Sequence, residues 1–158
     1  MKVKDFALIK RGSSPRPIVE YLSNEGFPWL KISDFSFGKR YIYETKEFIK
    51  PSGLSSTRYV KKDTLILTNS ASPGIPIFLG NDMCLHDGFL YFEKIDSSVL
   101  PMYLYYYFLK NRNKLVKQGN GSVFVNLKKE ILENTDIDIP TLDIQQHIVN
   151  IKENVLCI

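Results

Sequence analysis

Basic side chains gather at two places in the sequence, and their positive charge could bind phosphate groups. The first group comprises Lys10, Arg11 and Arg16, and the second runs from Lys110 to Lys117 without an acidic residue. If the fold brings the two groups to one face, they form a phosphate-binding surface. The alternative is that these are ordinary solvated lysines and arginines, as most surface charges are.

A second set of residues has the loose spacing of a magnesium site. Asp34 is followed ten residues later by Glu44-Thr45-Lys46, a pattern typical of restriction-type nucleases. In such a site the carboxylates hold the metal and the lysine helps to position the attacking water. Three residues at loose spacing also arise by chance, and Glu44 lies in a run of alternating charge. We therefore favour a solvated role for Asp34, Glu44 and Lys46.

Other catalytic patterns are missing from the sequence. No glycine-rich phosphate loop follows a strand, and neither His86 nor His147 has a GxSxG partner. Cys84 and Cys157 lack CxxC spacing, so buried thiols are a better interpretation than a disulfide or a zinc site. The sequence predicts no catalytic residue, no metal and no cofactor.

The composition indicates one folded domain. The chain has 158 residues, of which 44% are hydrophobic and 13% aromatic, enough to build a sizeable core. The most apolar run, residues 100–109, is too short to cross a bilayer, so we expect no membrane partner. Met1 is followed by charged residues rather than by an apolar leader, and we expect a cytoplasmic location.

Extended segments precede a helical region, without regular alternation of strands and helices. This order favours an α+β fold over a doubly wound sheet. Residues 17–22 suit a brief helix with proline in its first turn, and residues 59–63 suit a turn. The predicted strands are 27–32, 41–43, 47–49, 64–68, 75–79, 83–85 and 89–92.

One long helix is predicted from Pro101 to about Lys117, with proline in its first turn. Its tyrosines could provide a platform for stacking bases, but aromatic residues at helical spacing usually belong to a core. We therefore predict that they are buried. The residues expected on the buried side are Met102, Tyr105, Tyr106, Leu109 and Leu115.

The last segment carries the heptad spacing of a helix that pairs with another helix. Ile144, Ile148, Ile151 and Val155 follow one another at intervals of four, three and four residues. The pattern is still running at Ile158, and we expect the helix to continue in a longer chain. We divide the sequence into a strand-rich domain, residues 1–140, and the start of a helix that pairs with another helix, residues 141–158.

Short motifs in a fixed order carry a family resemblance over essentially the whole chain. They are residues 10–15 (KRGSSP), 26–34 (GFPWLKISD), 60–67 (VKKDTLIL), 87–89 (DGF), 103–107 (YLYYY), 121–122 (GS) and Ile139-Pro140 with Gln146 and Ile148. In order and spacing they resemble a target recognition domain of the DNA specificity (S) subunit of type I restriction-modification systems.

This resemblance implies a strand-rich α+β target recognition (DNA-binding) domain, residues 1–140, followed by a long spacer or dimerisation helix that starts at residues 141–158. Two such domains usually read the two halves of a split DNA target, and antiparallel helices hold them apart. The methyltransferase (M) subunits, which bind S-adenosylmethionine, and the translocating restriction (R) subunits are separate chains. The resemblance thus implies a chain without catalysis, whose partners are double-stranded DNA, the M and R subunits, and a second recognition domain or a second copy joined through the helix.

If the domain binds duplex DNA, phosphate contacts set its register and loop side chains read base edges. The predicted phosphate contacts are Arg16, Lys31, Lys39, Arg40, Lys114 and Lys117. The predicted base contacts are Asn69, Ser70, Ser72, His86, Asp87, Gln118, Asn120, Ser122 and Asn126. Two of these have structural alternatives, since Asn126 suits a helix N-cap and His86 suits a turn.

Two other functions are compatible with the sequence. The heptad helix and the aromatic helix could serve a protein-interaction module that touches DNA weakly or not at all. The chain could also be a decoy that mimics a specificity subunit and captures its methyltransferase partners.

Overall fold

Two mixed five-stranded sheets form the body of the chain, in a computed structural model that describes residues 1–36, 38–117, 122 and 126–156. The first sheet has the order β1-β10-β7-β8-β4, and the second has the order β2-β5-β3-β9-β6. The strands are β1 (Ala7–Arg11), β2 (Leu22–Ser23), β3 (Phe27–Leu30), β4 (Tyr41–Ile42), β5 (Glu47–Ile49), β6 (Arg58–Val60), β7 (Leu65–Thr68), β8 (Pro76–Leu79), β9 (Met83–Leu85) and β10 (Phe89–Ile95).

The chain passes between the sheets several times, because β7 and β8 belong to the first sheet, β9 to the second and β10 to the first again. Each sheet contains one parallel pair, β4 with β8 and β3 with β9, and its other pairs are antiparallel. The predicted α+β class is therefore confirmed. All seven predicted strands are present, with ends that differ by up to three residues.

The central strands are buried on both faces, and alternate residues enter two different cores. On β7, Leu65 and Leu67 pack towards the helices, whereas Ile66 packs between the sheets. On β10, Leu90 and Tyr91 divide in the same way. Successive side chains of a strand point to opposite faces, so a continuous apolar run supplies both layers.

Within the described ranges, four α-helices accompany the sheets: α1 (Val3–Phe6), α2 (Pro101–Val116), α3 (Lys129–Glu133) and α4 (Leu142–Leu156). Pro101 begins α2, as predicted. Tyr105 and Tyr106 are both 6% exposed, so the core interpretation of the tyrosines is confirmed and the base-stacking alternative is wrong. Leu109 is 47% exposed and was wrongly predicted to be buried.

Two local predictions need correction. Residues 59–63 were predicted as a turn, but Tyr59 and Val60 belong to β6, and the turn follows with Asp63 at a φ of 69°. Residues 17–22 form a 3-10 helix only at Ile18–Glu20, and further 3-10 helices lie at Ile32–Asp34 and Pro51–Ser56.

The second sheet contains a buried thiol, as the sequence predicted. Cys84 on β9 is free and buried against Trp29 and Ile49, and this burial raises the pKa of its thiol to about 12. Cys157 lies outside the described residues. In the part of the chain that the structure describes, no helix has the length and apolar character needed to cross a membrane.

Candidate nucleic-acid interface

The turn at residues 86–88 collects side chains from segments far apart in the sequence. The carbonyl oxygen of Asp87 accepts hydrogen bonds from Arg11 Nε at 2.9 Å and from Asn69 Nδ2 at 3.1 Å. Its carboxylate accepts one from Ser14 Oγ at 3.3 Å and lies 3.6 Å from Arg16 Nη2. Asp87 thus links the end of β1, the loop after it and the loop after β7.

His86 holds this turn in shape as a neutral side chain. Its Nδ1 accepts a hydrogen bond from Gly88 N at 2.9 Å, and its Nε2 lies 2.9 Å from Asp87 Oδ1. The network therefore assigns the proton to Nε2. Partial burial lowers the pKa of His86 most strongly, the charges of Arg16, Lys31 and Arg11 lower it further, and Asp87 opposes them. The turn role proposed for His86 agrees with these contacts.

The loop after β7 is fixed by its own polar groups. Asn69 is 4% exposed, its N–H donates to Gly88 O at 2.9 Å, and its carbonyl oxygen accepts from Leu127 N at 2.7 Å. Thr68 Oγ1 donates to the carbonyl oxygen of exposed Ser72 at 2.7 Å. Ser70 is half-buried beside Gly88. The side-chain amide of Asn69 also donates a hydrogen bond within the protein, to Asp87 O. These contacts favour a role for Asn69 in organising the loop.

A basic cavity of about 560 Å³ opens beside these two loops, and we call it the basic cleft. Lys10 pairs with Glu93 at 3.0 Å, and Lys129 lies 3.6 Å from Glu133. Arg11, Arg58 and Lys128 also line the cleft, and within the described part of the chain they form no ion pair. The lining residues are Lys10, Arg11, Arg58, Asn69, Asn126, Leu127, Lys128, Lys129 and Glu130. The lining thus carries five basic residues and one acidic residue, Glu130, so the cleft is positively charged.

Comparison with known proteins identifies the family of the chain. Residues 1–156 match the family model described as "Type I restriction modification DNA specificity domain". The chain belongs to the type I restriction-modification DNA specificity domain family. The chain is also 28% identical to the MjaIX specificity subunit of a type I restriction enzyme from Methanocaldococcus jannaschii, over 95% of its own length and 36% of that protein.

Solved structures of S subunits share the fold of this specificity domain. The HsdS subunit from Thermoanaerobacter tengcongensis matches with a TM-score of 0.77 at 18% identity, over 99% of this chain and 36% of that one. The S subunit from M. genitalium matches with a TM-score of 0.63 at 13% identity, over 96% of this chain and 37% of that one. The chain thus spans little more than a third of the length of these relatives.

The predicted base contacts lie partly at the basic cleft of the specificity domain. Asn69 and Asn126 line it, and Asn126 is exposed. His86, Asp87 and Ser70 belong to the adjoining turn and loop. Asn126 lies two residues before Lys128, the N-cap of α3, and so does not cap that helix. Ser122 is exposed, while Gln118 and Asn120 lie outside the described residues.

The predicted phosphate contacts are scattered. Arg16 lies at the turn beside Asp87, but Lys31 pairs with Glu47 at 2.8 Å. Lys39 lines a separate cavity of about 580 Å³. Lys114 lines another depression beside Asp136, and Lys117 is exposed after α2. No described contact joins these last three lysines to the basic cleft.

Arg40 was predicted to contact phosphate, but it binds the last helix instead. Its Nη2 lies 2.7 Å from Glu153 Oε2 and donates to Tyr106 Oη at 2.6 Å. Its guanidinium carbon also lies 5.9 Å and 5.7 Å from the ring centres of Tyr105 and Tyr106. Because this charge is already paired and stacked, a phosphate at Arg40 would have to compete with the carboxylate of Glu153.

The magnesium pattern gains little support from the geometry. Asp34 Oδ2 accepts a hydrogen bond from Lys31 N at 3.0 Å, and its Oδ1 accepts from Lys46 N at 3.4 Å, so the carboxylate fixes a turn. Asp34 and Glu44 line the same cavity as Lys39. Among the described residues, no group of three His, Cys, Asp or Glu side chains could hold a metal ion.

Helix α4 packs on the specificity domain with one face and leaves the heptad face open. Gln145 is completely buried, and Val149 is 6% exposed. On the other face, Ile144 is 51% exposed, Ile151 is 48% exposed and Val155 is 64% exposed, while Ile148 is half-buried. The predicted partner residues thus form an apolar stripe beside the docked face.

Sequence reasoning missed three basic residues as individual contacts. Arg11 was noted only as part of a basic group, and Arg58 and Lys128 were not selected. Arg58 reaches the basic cleft because β6 pairs with β9, and the residues directly after it, 59–63, were predicted as a turn. A strand prediction at residues 58–60 would have drawn attention to Arg58 but not to its position beside Arg11.

Proposed function

We propose that this chain reads one half of a split target in double-stranded DNA, as part of a type I specificity subunit. The observation that carries the proposal is the basic cleft, where Arg11, Arg58 and Lys128 converge without acidic partners among the described residues. It lies directly beside the polar loops at residues 69–72 and 86–88. Membership of the specificity domain family supports the same function.

The proposed contacts divide into two kinds. Arg16, Arg58 and Lys128 are exposed cations, and we assign them to phosphates, which fix the register of the protein on the duplex. Asn126 is exposed and lines the cleft, and Ser122 is exposed four residues earlier in the sequence. We assign both to base edges. Asn69, His86 and Asp87 hold the loops that present them. Lys114 and Lys117 remain proposed phosphate contacts outside the cleft.

The salt dependence of binding tests this proposal. Each phosphate contact releases counterions, so removing two should flatten the slope of log K against log salt by about 1.8. We expect Arg58→Gln with Lys128→Gln to weaken binding to every duplex and to show this smaller slope. The measurement is fluorescence anisotropy of a labelled random-sequence duplex at several salt concentrations.

A matched pair of substitutions serves as the control. Lys50 and Lys152 are exposed lysines that do not line the basic cleft, so Lys50→Gln with Lys152→Gln removes the same charge elsewhere. This control should keep the wild-type slope. Equal slopes for the wild type and the cleft variant would exclude the basic cleft as the phosphate-binding surface.

The proposed partners follow from the same family. We propose that separate M and R subunits carry out methyl transfer and cleavage, and that this chain, in the cytoplasm, directs them to the target. The exposed stripe on α4 would join the domain to a second recognition domain or to a second copy. The stripe also supports the second candidate function, a protein-interaction module. Binding to an M subunit without any binding to duplex DNA would favour that alternative.

A further inference from the structure

Arg11 differs from the other cations of the basic cleft because its guanidinium is anchored. It is the last residue of β1 and is exposed, and its Nε donates to the carbonyl oxygen of Asp87 at 2.9 Å. Among the described residues, its Nη1 and Nη2 make no hydrogen bond and no ion pair. The outer edge of the guanidinium is therefore held in place and open to a ligand.

The anchor itself is rigid. Gly12 N donates to Phe89 O at 2.9 Å, so the chain beside Arg11 is tied to the strand that follows the turn. Gly12 is also packed so closely that a Cβ there would lie 2.1 Å from His86 O. Asp87 O is shared with Asn69 Nδ2, which fixes the acceptor from its other side. The hydrogen bond from Nε to Asp87 O therefore removes part of the side-chain entropy that Arg11 would otherwise lose when it binds a partner.

The guanidinium groups of Arg16 and Arg58 are held by fewer contacts than that of Arg11. The side chain of Arg16 is 73% exposed and lies 3.6 Å from the Asp87 carboxylate, beyond ordinary hydrogen-bond length. Arg58 is exposed, and its guanidinium makes no hydrogen bond or ion pair with a described residue. A mobile cation suits a phosphate, which accepts approach from many directions. A fixed fork of donors suits a ligand with two acceptors in a defined plane.

We propose that Arg11 reads a guanine in the major groove, and this inference rests on the proposed function. Guanine presents O6 and N7 side by side as two acceptors, which match the two terminal nitrogens of a guanidinium. Adenine places an amino donor where guanine has O6, so the same fork would meet a donor there. Arg11 is thus a specificity-determining residue, anchored by Asp87 for one base of the half-site.

Selection from a randomised duplex pool tests the inference. The wild-type chain should select a guanine at one position, and Arg11→Gln should lose that preference, because glutamine has neither the charge nor the two-nitrogen fork and its amide matches adenine rather than guanine. Arg58→Gln is the matched control and should select the same sequence as the wild type, with weaker binding overall, because Arg58 is assigned to a phosphate. Thermal melting shows whether each variant is folded.

A change in the DNA alone gives a second test that does not depend on folding of a variant. Replacing the selected guanine by 7-deazaguanine removes N7, and wild-type affinity should fall roughly 5- to 150-fold. Selection of the same guanine by the wild type and Arg11→Gln, or full wild-type affinity for the deazaguanine duplex, would overturn the inference alone. A wild-type chain that captures no duplex would overturn the proposed function with it.

Discussion

At the scale of single residues, polar side chains of this domain divide into those that build the loops and those that face outward. Asn69 and His86 looked suitable for contact with bases, yet their hydrogen-bonding groups are used within the protein. Arg11 and Arg58 have guanidinium N–H groups that bond to no described residue, and both side chains line the basic cleft. Recognition by such a surface depends on the buried polar residues only indirectly, because they set where the exposed ones stand.

The neutral state of His86 predicts a dependence of stability on pH. Its pKa in the folded chain is lower than the ordinary value of 6.5. Between these two pKa values the unfolded chain binds the extra proton more readily than the folded chain does. The contribution of neutral His86 to the free energy of unfolding is therefore complete above pH 6.5 and declines as the pH falls below 6.5. Protonation of Nδ1 would also break its hydrogen bond with Gly88 N.

Urea denaturation between pH 7.5 and pH 5 measures this effect. We expect the unfolding free energy of His86→Gln to vary less over this range than that of the wild type. His147→Gln is the control, since His147 is exposed on α4. If His86→Gln retains the full wild-type dependence, the assigned role of the imidazole is wrong.

At the scale of elements, α4 is attached to the domain at both ends of its docked face. Near its start, Gln145 Oε1 accepts from Leu100 N at 2.8 Å, and its Nε2 donates to Ser98 O and Pro140 O, each at 2.8 Å. Near its end, Glu153 pairs with Arg40. Two adjacent glutamines are present in the sequence, and the buried one is Gln145 rather than Gln146.

Gln145→Leu should destabilise the attachment of α4. Leucine has a similar volume but leaves one N–H and two carbonyl groups without partners in a buried place. We expect a loss of about 3 kcal/mol in the unfolding free energy, and faster hydrogen exchange along α4. Gln146→Leu is the matched control, because Gln146 is exposed. Equal effects of the two substitutions would contradict the assigned role of Gln145.

At the scale of the whole molecule, the recognition face and the exposed stripe of α4 belong to one framework. The helix packs on α2, and α2 packs on β8 of the first sheet, whose other strands lead to the basic cleft. The stripe therefore holds a set orientation relative to the loops. In the proposed assembly, a partner helix on the stripe would fix the second recognition domain in relation to the first.

The exposed stripe predicts self-association of the chain. We expect analytical ultracentrifugation to show dimers whose fraction rises with concentration, and Ile151→Ser with Val155→Ser to abolish them by removing apolar contact area. Both residues are about half exposed or more, so the monomer should remain folded. The control is Asn150→Ser with Asn154→Ser on the same helix. A wild-type chain that stays monomeric at high concentration would contradict the prediction for two copies of this chain.

The sequence by itself determined the elements whose pattern is local. Apolar runs predicted the buried strands, Pro101 and helical periodicity predicted α2, and the 4-3-4 spacing predicted the stripe. These signals depend on side chains that lie within a few residues of one another. The short β6 was not predicted because three residues carry too weak a pattern, and Arg58 was missed for the same reason.

The tertiary structure alone decided which polar residues work together and which are free to bind. Arg11 meets Asp87 across 76 residues of sequence, and Arg40 meets Glu153 across 113. A hydrogen bond or ion pair depends on distances of about 3 Å, which the chain sets only when both sheets and α4 are packed. Asn69, predicted to contact a base, is thus a buried support, and Arg11, noted only as part of a basic group, is the anchored cation of the basic cleft.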